Sequence, residues 1–107
     1  MSRIKVEATR KGLTHKIELG GTDSYVTINR LPDGKAIEIF LTTDRKGECQ
    51  GWANIACIMM SMALQNGVPA CRIIEKLRGQ RFDPMGGPGE PVSVADAIAI
   101  KWEAGEK

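Results

Sequence analysis

Residues 48–81 carry two consecutive helical patterns separated by a short break, and this pair constrains the fold more than any other stretch. In the first pattern, apolar residues recur with the i, i+3, i+4, i+7 spacing of a single helical face. They are Trp52, Ile55, Ala56, Met59, Met60, Ala63 and Leu64. The spacing predicts a long helix that packs this stripe, Trp52 included, into the core.

The break between the two patterns has the residues of a helix end followed by a helix start. Gly67 comes just after the first stripe, where a left-handed C-terminal position favours glycine. Pro69 suits the first turn of a second helix, because its missing N–H needs no partner there. The buried stripe of this second helix is predicted to be Ile73, Ile74 and Leu77. Gly79 is predicted to end it.

The first helical pattern is apolar on almost every side. Ile58 and Met62 lie away from the main stripe, and a helix that is apolar nearly all round is buried nearly all round. One sheet cannot cover both sides of such a helix in a small domain. We therefore expect the second side to be a homo-oligomer interface, for which adaptable methionine side chains are well suited.

Before residue 44 the apolar residues alternate with a period of two, which is typical of strands buried on one face. The alternation predicts strands at residues 3–9, 13–19, 24–30 and 36–43. Short polar turns separate them, and Pro32-Asp33-Gly34 has the residues that a tight turn requires. This part of the sequence predicts an antiparallel meander of about four strands.

The change from strand to helix period near residue 48 predicts an α+β fold. Ser93 is predicted to be the N-cap of a short third helix, with Asp96 as its capping-box partner and Trp102 on its buried face. We expect a single domain, residues 1–107, in which an antiparallel sheet of about four strands is followed by two packed helices and a short C-terminal helix.

Composition argues against several classes of function. No run approaches the roughly 18–20 apolar residues of a membrane span, and no signal peptide is visible, so we expect no membrane contact and a cytoplasmic location. The three cysteines include no CxxC pair, and we expect Cys57 to be a buried free thiol. The net charge of +2 comes from scattered basic residues, which argues against a nucleic-acid partner.

Residues 25–41, with a strand, the Asp33-Gly34 turn and a second strand, resemble a segment near the C-terminal end of adenosylcobalamin-dependent (class II) ribonucleotide reductases. The similarity continues through residues 46–48, the helices and residues 81–86, and it covers residues 12–104. The chain is identified by this resemblance as a TSCPD-like domain, a unit that also occurs in short stand-alone relatives.

The resemblance implies an accessory domain, because the family's radical chemistry belongs to a large barrel with a corrin site that 107 residues cannot contain. Short relatives have Thr-Ser-Cys-Pro-Asp where this chain has Val92-Ser93-Val94-Ala95-Asp96. The Ser and Asp are retained, whereas the Cys is absent. The resemblance therefore gives this position no metal-binding or redox role.

No constellation of residues predicts catalysis. His15 is the only histidine, and a hydrolase would rest on His15 with a carboxylate such as Glu38 alone. The sequence has no P-loop, no strand-linked GxGxxG and no G-x-S-x-G motif. Its cysteines lack the spacing of zinc ligands. We expect no enzymatic activity, no metal and no cofactor.

The Gly- and Pro-rich stretch 83–91 is the strongest candidate for a ligand site. Backbone N–H groups in such a loop can hold an anion beside the positive end of the helix that follows. Arginines just before the loop can supply the guanidinium groups that phosphates favour. The predicted ligand-binding residues are Arg78, Arg81, Gly86, Gly87, Gly89 and Ser93. A plain surface loop beside a solvated basic helix end is the alternative.

Two hypotheses of function follow. In the first, the chain is a non-catalytic module that binds a nucleotide-like, phosphate-bearing small molecule. One use of such binding is sequestration of the ligand between subunits, as in phage anti-defence sponge proteins. In the second, it is a structural or regulatory module that docks on a reductase-like protein partner through Ile58 and Met62, with no small ligand. Loss of function in Met62→Asp, with Arg78→Ala and Arg81→Ala unaffected, would favour the second.

Overall fold

The computed structural model describes residues 11–44, 47–82 and 85–106. Within these ranges the strands come first: β1 (Lys11–Leu19), β2 (Thr22–Arg30) and β3 (Ala36–Thr43). The helices follow: α1 (Glu48–Gln65), α2 (Ala70–Leu77) and α3 (Val94–Gly105). The order of strands before helices confirms the predicted α+β class.

Antiparallel pairing joins β1 to β2 and β2 to β3, so the described sheet has the order β1-β2-β3. The turn at Pro32-Asp33-Gly34 is confirmed, since Gly34 has a φ of 91° and its N–H donates to the Leu31 carbonyl at 2.8 Å. The predicted strand at residues 3–9 lies outside the described residues. The described part of the sheet therefore has three strands where the sequence predicts about four.

The two faces of the sheet have different environments, because side chains alternate between them along each strand. The buried residues of the face that packs on the helices include Ile17, Val26, Ile28, Ile39 and Leu41. Trp102 of α3 lies in the same core and is fully buried, as predicted. The opposite face is more open, with Tyr25 and Phe40 about half exposed.

Helix α1 covers the outer edge of β3 through polar side chains. Ser61 Oγ accepts from the Ile39 N–H at 3.0 Å and donates to the Ile39 carbonyl at 3.2 Å. Gln50 does the same further along the edge, where its Oε1 accepts from the Thr43 N–H at 2.9 Å and its Nε2 donates to the Leu41 carbonyl at 3.1 Å. An edge strand otherwise leaves such groups unpaired, so α1 supplies hydrogen-bond partners to the outer edge of β3.

The stripe predicted to be buried on α1 is only partly correct. The α1 side chains that belong to the core or pack against it are Ala53, Cys57, Met60 and Leu64. By contrast, Trp52, Ile55 and Met59 are 64%, 46% and 61% exposed, so the prediction that Trp52 is a core residue was wrong. The helix turns its polar side chains toward β3 because the strand edge needs hydrogen-bond partners, and this rotation leaves large apolar side chains outside.

The predicted joint between α1 and α2 is confirmed. Gly67 has a φ of 93°, and its N–H donates to the Leu64 carbonyl at 3.1 Å, which ends α1. Pro69 is the N-cap residue of α2, and the predicted stripe of that helix packs inward, with Ile74 buried. Gly79, with a φ of 77°, follows the end of α2. The chain then continues toward α3, against which α2 packs.

Ser61→Ala should destabilise the fold, because it leaves both the N–H and the carbonyl of Ile39 without their side-chain partner in a buried position. We expect the free energy of unfolding to fall by about 2–3 kcal/mol, measured by urea denaturation. Thr14→Ala is the matched control, since the hydrogen bond between the Thr14 and Thr27 hydroxyls, at 2.7 Å, is exposed. Equal losses in both variants would contradict a special role for Ser61.

Candidate functional site

Arg78, a predicted ligand-binding residue, turns its side chain toward α3. Its Nε lies 3.3 Å from Oδ1 of Asp96, and its Nη1 lies 3.5 Å from Oε2 of Glu103. Two carboxylates therefore already face the guanidinium group, and they reduce its attraction for an added anion.

Asp96 is the centre of the junction between α2 and α3. Its Oδ1 accepts from the Gly79 N–H at 2.8 Å, and its Oδ2 accepts from the Val92 N–H at 3.1 Å. The hydrogen bond from Gly79, followed by the one from Val92 and the nearby Arg78 charge, lowers the pKa of Asp96 below its ordinary value despite burial. The carboxylate thus ties the end of one helix to the start of the next.

Ser93 caps α3 as predicted, because its Oγ accepts from the Asp96 N–H at 3.1 Å. The other half of the predicted capping box is different, since Asp96 binds the N–H of Val92 and not that of the cap residue. Ser93 is fully buried, and its hydroxyl donates to the Gln80 carbonyl. The Ser93 hydroxyl therefore makes both of these hydrogen bonds to backbone groups of the same chain.

The glycine-rich loop makes hydrogen bonds within itself. The Gly86 N–H donates to the Pro91 carbonyl at 2.9 Å, and the Gly87 N–H donates to Oε1 of Glu90 at 3.0 Å. A Cβ at position 86 would lie 2.7 Å from the Pro91 carbonyl oxygen, so this close approach requires glycine. Gly89 has a φ of 82° in the turn between them.

The structure thus distributes the predicted ligand-binding residues over two local arrangements. Arg78 and Ser93 meet around Asp96, whereas Gly86 and Gly87 close on residues 90 and 91. Arg81 is exposed. An anion site built from these residues remains a prediction.

The two residues considered for a hydrolase lie on opposite faces of the sheet. His15 pairs with Val26 and Glu38 pairs with Asn29, and these partners are three residues apart on β2. The Asn29 side-chain amide donates to Glu38 at 3.2 Å. Within the described ranges, no three residues among His, Cys, Asp and Glu gather into a group that could hold a metal ion.

An apolar groove of about 440 Å³ opens between α1 and the α2–α3 pair. The sheet contributes Leu19, Ser24 and Leu41. The α1 wall includes Trp52, Ala56 and Met60, and the opposite wall includes Phe82, Val94, Ala95 and Ile98. Among the described residues that line it, none carries a charge. A groove of this size accommodates small ligands or the apolar side chains of a partner.

Cys57, in the middle of α1 on its core-facing side, is confirmed as a buried free thiol. Burial raises its pKa to about 11, so the thiol stays protonated at neutral pH. Cys49 and Cys71 are exposed and free.

Sequence reasoning missed the groove, although one signal was present. No Asp, Glu, Lys or Arg occurs from residue 49 to residue 65, whereas a helix with a solvent face normally carries charged residues there. The exposed large side chains of α1 are Trp52, Ile55, Ile58, Met59 and Met62; we call this set the outer stripe. Despite this apolar character, none of the described helices is long and apolar enough to cross a membrane.

The fold and the residue pattern define a small α+β domain. The sequence matches the family model of the TSCPD domain over residues 3–101, so this chain belongs to the TSCPD domain family. The predicted resemblance is thereby confirmed.

Curated relatives are much longer proteins. The chain is 35% identical over 106 residues to a vitamin B12-dependent ribonucleotide reductase of Rhodopirellula baltica, a match that covers 94% of this chain and 10% of the relative. It is 33% identical over 98 residues to the reductase of the same description from Streptomyces clavuligerus, covering 90% of this chain and 10% of the relative. The chain thus spans about a tenth of these relatives. No solved structure matches it.

Asp96→Asn should change how stability depends on pH. The folded-state pKa of Asp96 is lowered, so the unfolded chain binds the proton more readily and stability rises with pH in this window. The contribution is complete above the unfolded pKa of about 3.9 and is lost as pH falls through the folded value. Asparagine would also place an NH₂ group against one of two N–H donors, which should cost about 1–3 kcal/mol at pH 7.

The measurement is urea denaturation of wild type and variant from pH 2.5 to pH 7. We expect a smaller acid-dependent loss of stability in Asp96→Asn. Glu103→Gln is the control, because it removes the exposed carboxylate next to Arg78 and leaves Asp96 in place. Parallel pH curves for wild type and Asp96→Asn would contradict the assignment.

Proposed function

We propose that this chain is a non-catalytic docking module that binds a protein partner through the apolar groove between α1 and the α2–α3 pair. The groove itself is the observation that supports this most directly, since it opens onto the core and has no charge on its described lining. Apolar side chains that enter it would gain roughly 25 cal/mol for each Å² removed from water. Its polar groups, such as the hydroxyls of Thr22 and Thr43, cannot balance the charge of a phosphate.

The partner that we propose is a reductase-like chain. The relatives are vitamin B12-dependent ribonucleotide reductases, and the region they share with this chain is a small part of their length. A domain that accompanies such a protein is suited to contact the remainder of it. On this proposal, apolar side chains of the reductase-like chain fill the groove.

Three features support a non-catalytic role. His15 and Glu38 lie on opposite faces of the sheet, so they cannot act together as acid and base. The Cys57 thiol is protonated at neutral pH, which makes it a poor nucleophile. Arg78 is engaged by carboxylates of the same chain.

Ala95→Asp should block docking and leave the fold intact. Ala95 lines the groove in the first turn of α3, where an acidic residue suits the positive end of the helix. The variant places a charge in the apolar groove, and an unpaired charge in an interface is costly. We expect at least a roughly tenfold loss of affinity for the purified catalytic part of a B12-dependent reductase, measured by biolayer interferometry.

Ala104→Asp is the matched control, because it makes the same change at an exposed position of α3 that does not line the groove. It should bind as the wild type does. Equal losses in the two variants, or no binding by the wild type, would contradict docking through the groove.

A nucleotide-like, phosphate-bearing ligand is the second candidate, and one observation favours it. The described ion pairs near the end of α2 use Arg78, whereas Arg72, Lys76 and Arg81 extend from α2 and the residues after it as exposed cations. Basic side chains with this placement can bind phosphate groups from solution. The ligand would then lie on the surface of α2, and sequestration would require a second subunit to cover it.

Arg81→Ala tests this candidate. If the basic surface binds phosphate, we expect the variant to bind ATP about fivefold to thirtyfold more weakly, since one charged hydrogen-bonding group is worth on the order of 1–2 kcal/mol. Isothermal titration calorimetry with ATP measures the change, and Lys11→Ala, an exposed lysine on β1, is the control. A wild type that binds no ATP eliminates the candidate.

A further inference from the structure

The outer stripe has the spacing of a helix-pairing seam. Trp52, Ile55, Met59 and Met62 are separated by three, four and three residues, which is the alternation of a and d positions in a coiled coil. Ile58 lies beside them on the same side of α1. This stripe is on a different side of the helix from Cys57 and Leu64, which belong to the core. A face with this spacing fits a second helix.

The exposed area is large enough for a stable pair. Between 46% and 64% of each outer-stripe residue is exposed. Side chains of this size present on the order of 200 Å² each when fully exposed, so the stripe offers roughly 500 Å² per copy and roughly 1,000 Å² for two copies, which reaches the lower limit of specific interfaces. An apolar patch of roughly 500 Å² is comparable to the largest patch on a typical monomer, and patches of this size are often interaction sites.

The absence of charge from residue 49 to residue 65 indicates what covers the stripe. A partner helix with a matching uncharged, methionine-rich seam meets no repulsion there, and α1 of another copy has that chemistry. A two-fold axis places the same patch of each copy in contact. Two α1 helices in opposite directions bring Trp52 against the partner's Met62 and Ile55 against the partner's Met59, and they oppose the two helix dipoles favourably.

We propose that the outer stripe is covered by a second copy of this chain, with the two α1 helices packed antiparallel about a two-fold axis and Ile55 facing the partner's Met59. This inference goes beyond the docking function proposed above, because Trp52 is the one outer-stripe residue that also lines the groove, whereas Ile55, Met59 and Met62 do not line it. The groove wall formed by Val94, Ala95 and Ile98 of α3 contains no residue of the outer stripe, so the contacts named for the pair do not use that wall.

The test measures the mass of the full chain at about 100 µM by size-exclusion chromatography with light scattering. We expect wild type to have twice the chain mass of 11.7 kDa. Ile55→Glu alone and Met59→Lys alone should each reduce the mass to 11.7 kDa. The double variant Ile55→Glu/Met59→Lys should recover the dimer, because each glutamate then faces the partner's lysine.

Two controls keep the result specific. Ile55→Lys/Met59→Lys carries two charges at the same positions and should stay monomeric, since like charges face each other. Ile100→Glu makes the same change as Ile55→Glu at an exposed isoleucine of α3 and should stay dimeric. Far-UV circular dichroism should show the wild-type helix content in every variant.

Each remaining outcome overturns the inference. A monomeric wild type excludes the second copy and leaves the groove proposal in place, because that proposal is tested by Ala95→Asp. A dimer that persists in Ile55→Glu places the interface elsewhere. A double variant with opposite charges that stays monomeric excludes the antiparallel arrangement.

Discussion

The fold depends on which groups form hydrogen bonds with the backbone at the outer edge of β3. A strand edge needs partners for its N–H and carbonyl groups, and here the side chains of Gln50 and Ser61 supply them from α1. This requirement sets the rotation of α1 about its own axis. The same rotation determines which side chains of α1 pack against the core and which remain outside, so the groove and the outer stripe both follow from a polar contact.

Most of the fold is predictable from local patterns. The strands from residue 13 onward, the Gly34 turn, the Gly67 helix end and the Ser93 cap each depend on neighbouring residues, and the structure confirms them. The face of α1 is different, because apolar periodicity assumes that the core is the only demand on a helix. In the sequence, Ser61 and Gln50 of α1 look like solvent-facing residues. Only the position of the sheet shows that they bind the backbone of β3.

The candidate site shows the same limit. Arg78 and the glycine-rich loop have the composition of an anion site, but the acidic residues that meet them come from positions 90, 96 and 103 and are brought in by the path of the chain. The sequence shows that a residue is charged, but it does not show whether a residue of opposite charge contacts it in the folded chain. The groove was not predicted for a different reason. It is formed by apolar residues from the sheet and all three helices, and none of these residues looks like part of a site when it is considered alone.

The edge contact between α1 and β3 also has a consequence for solubility. Strand β3 contains Ile37, Ile39, Phe40 and Leu41, and it has high β-propensity with a single charged residue, Glu38. A strand of this composition with an open edge is a template for stacking with identical chains. Helix α1 therefore protects β3 from aggregation as well as forming a wall of the groove. A chain in which α1 detaches from the sheet exposes the edge of β3 and the apolar core together.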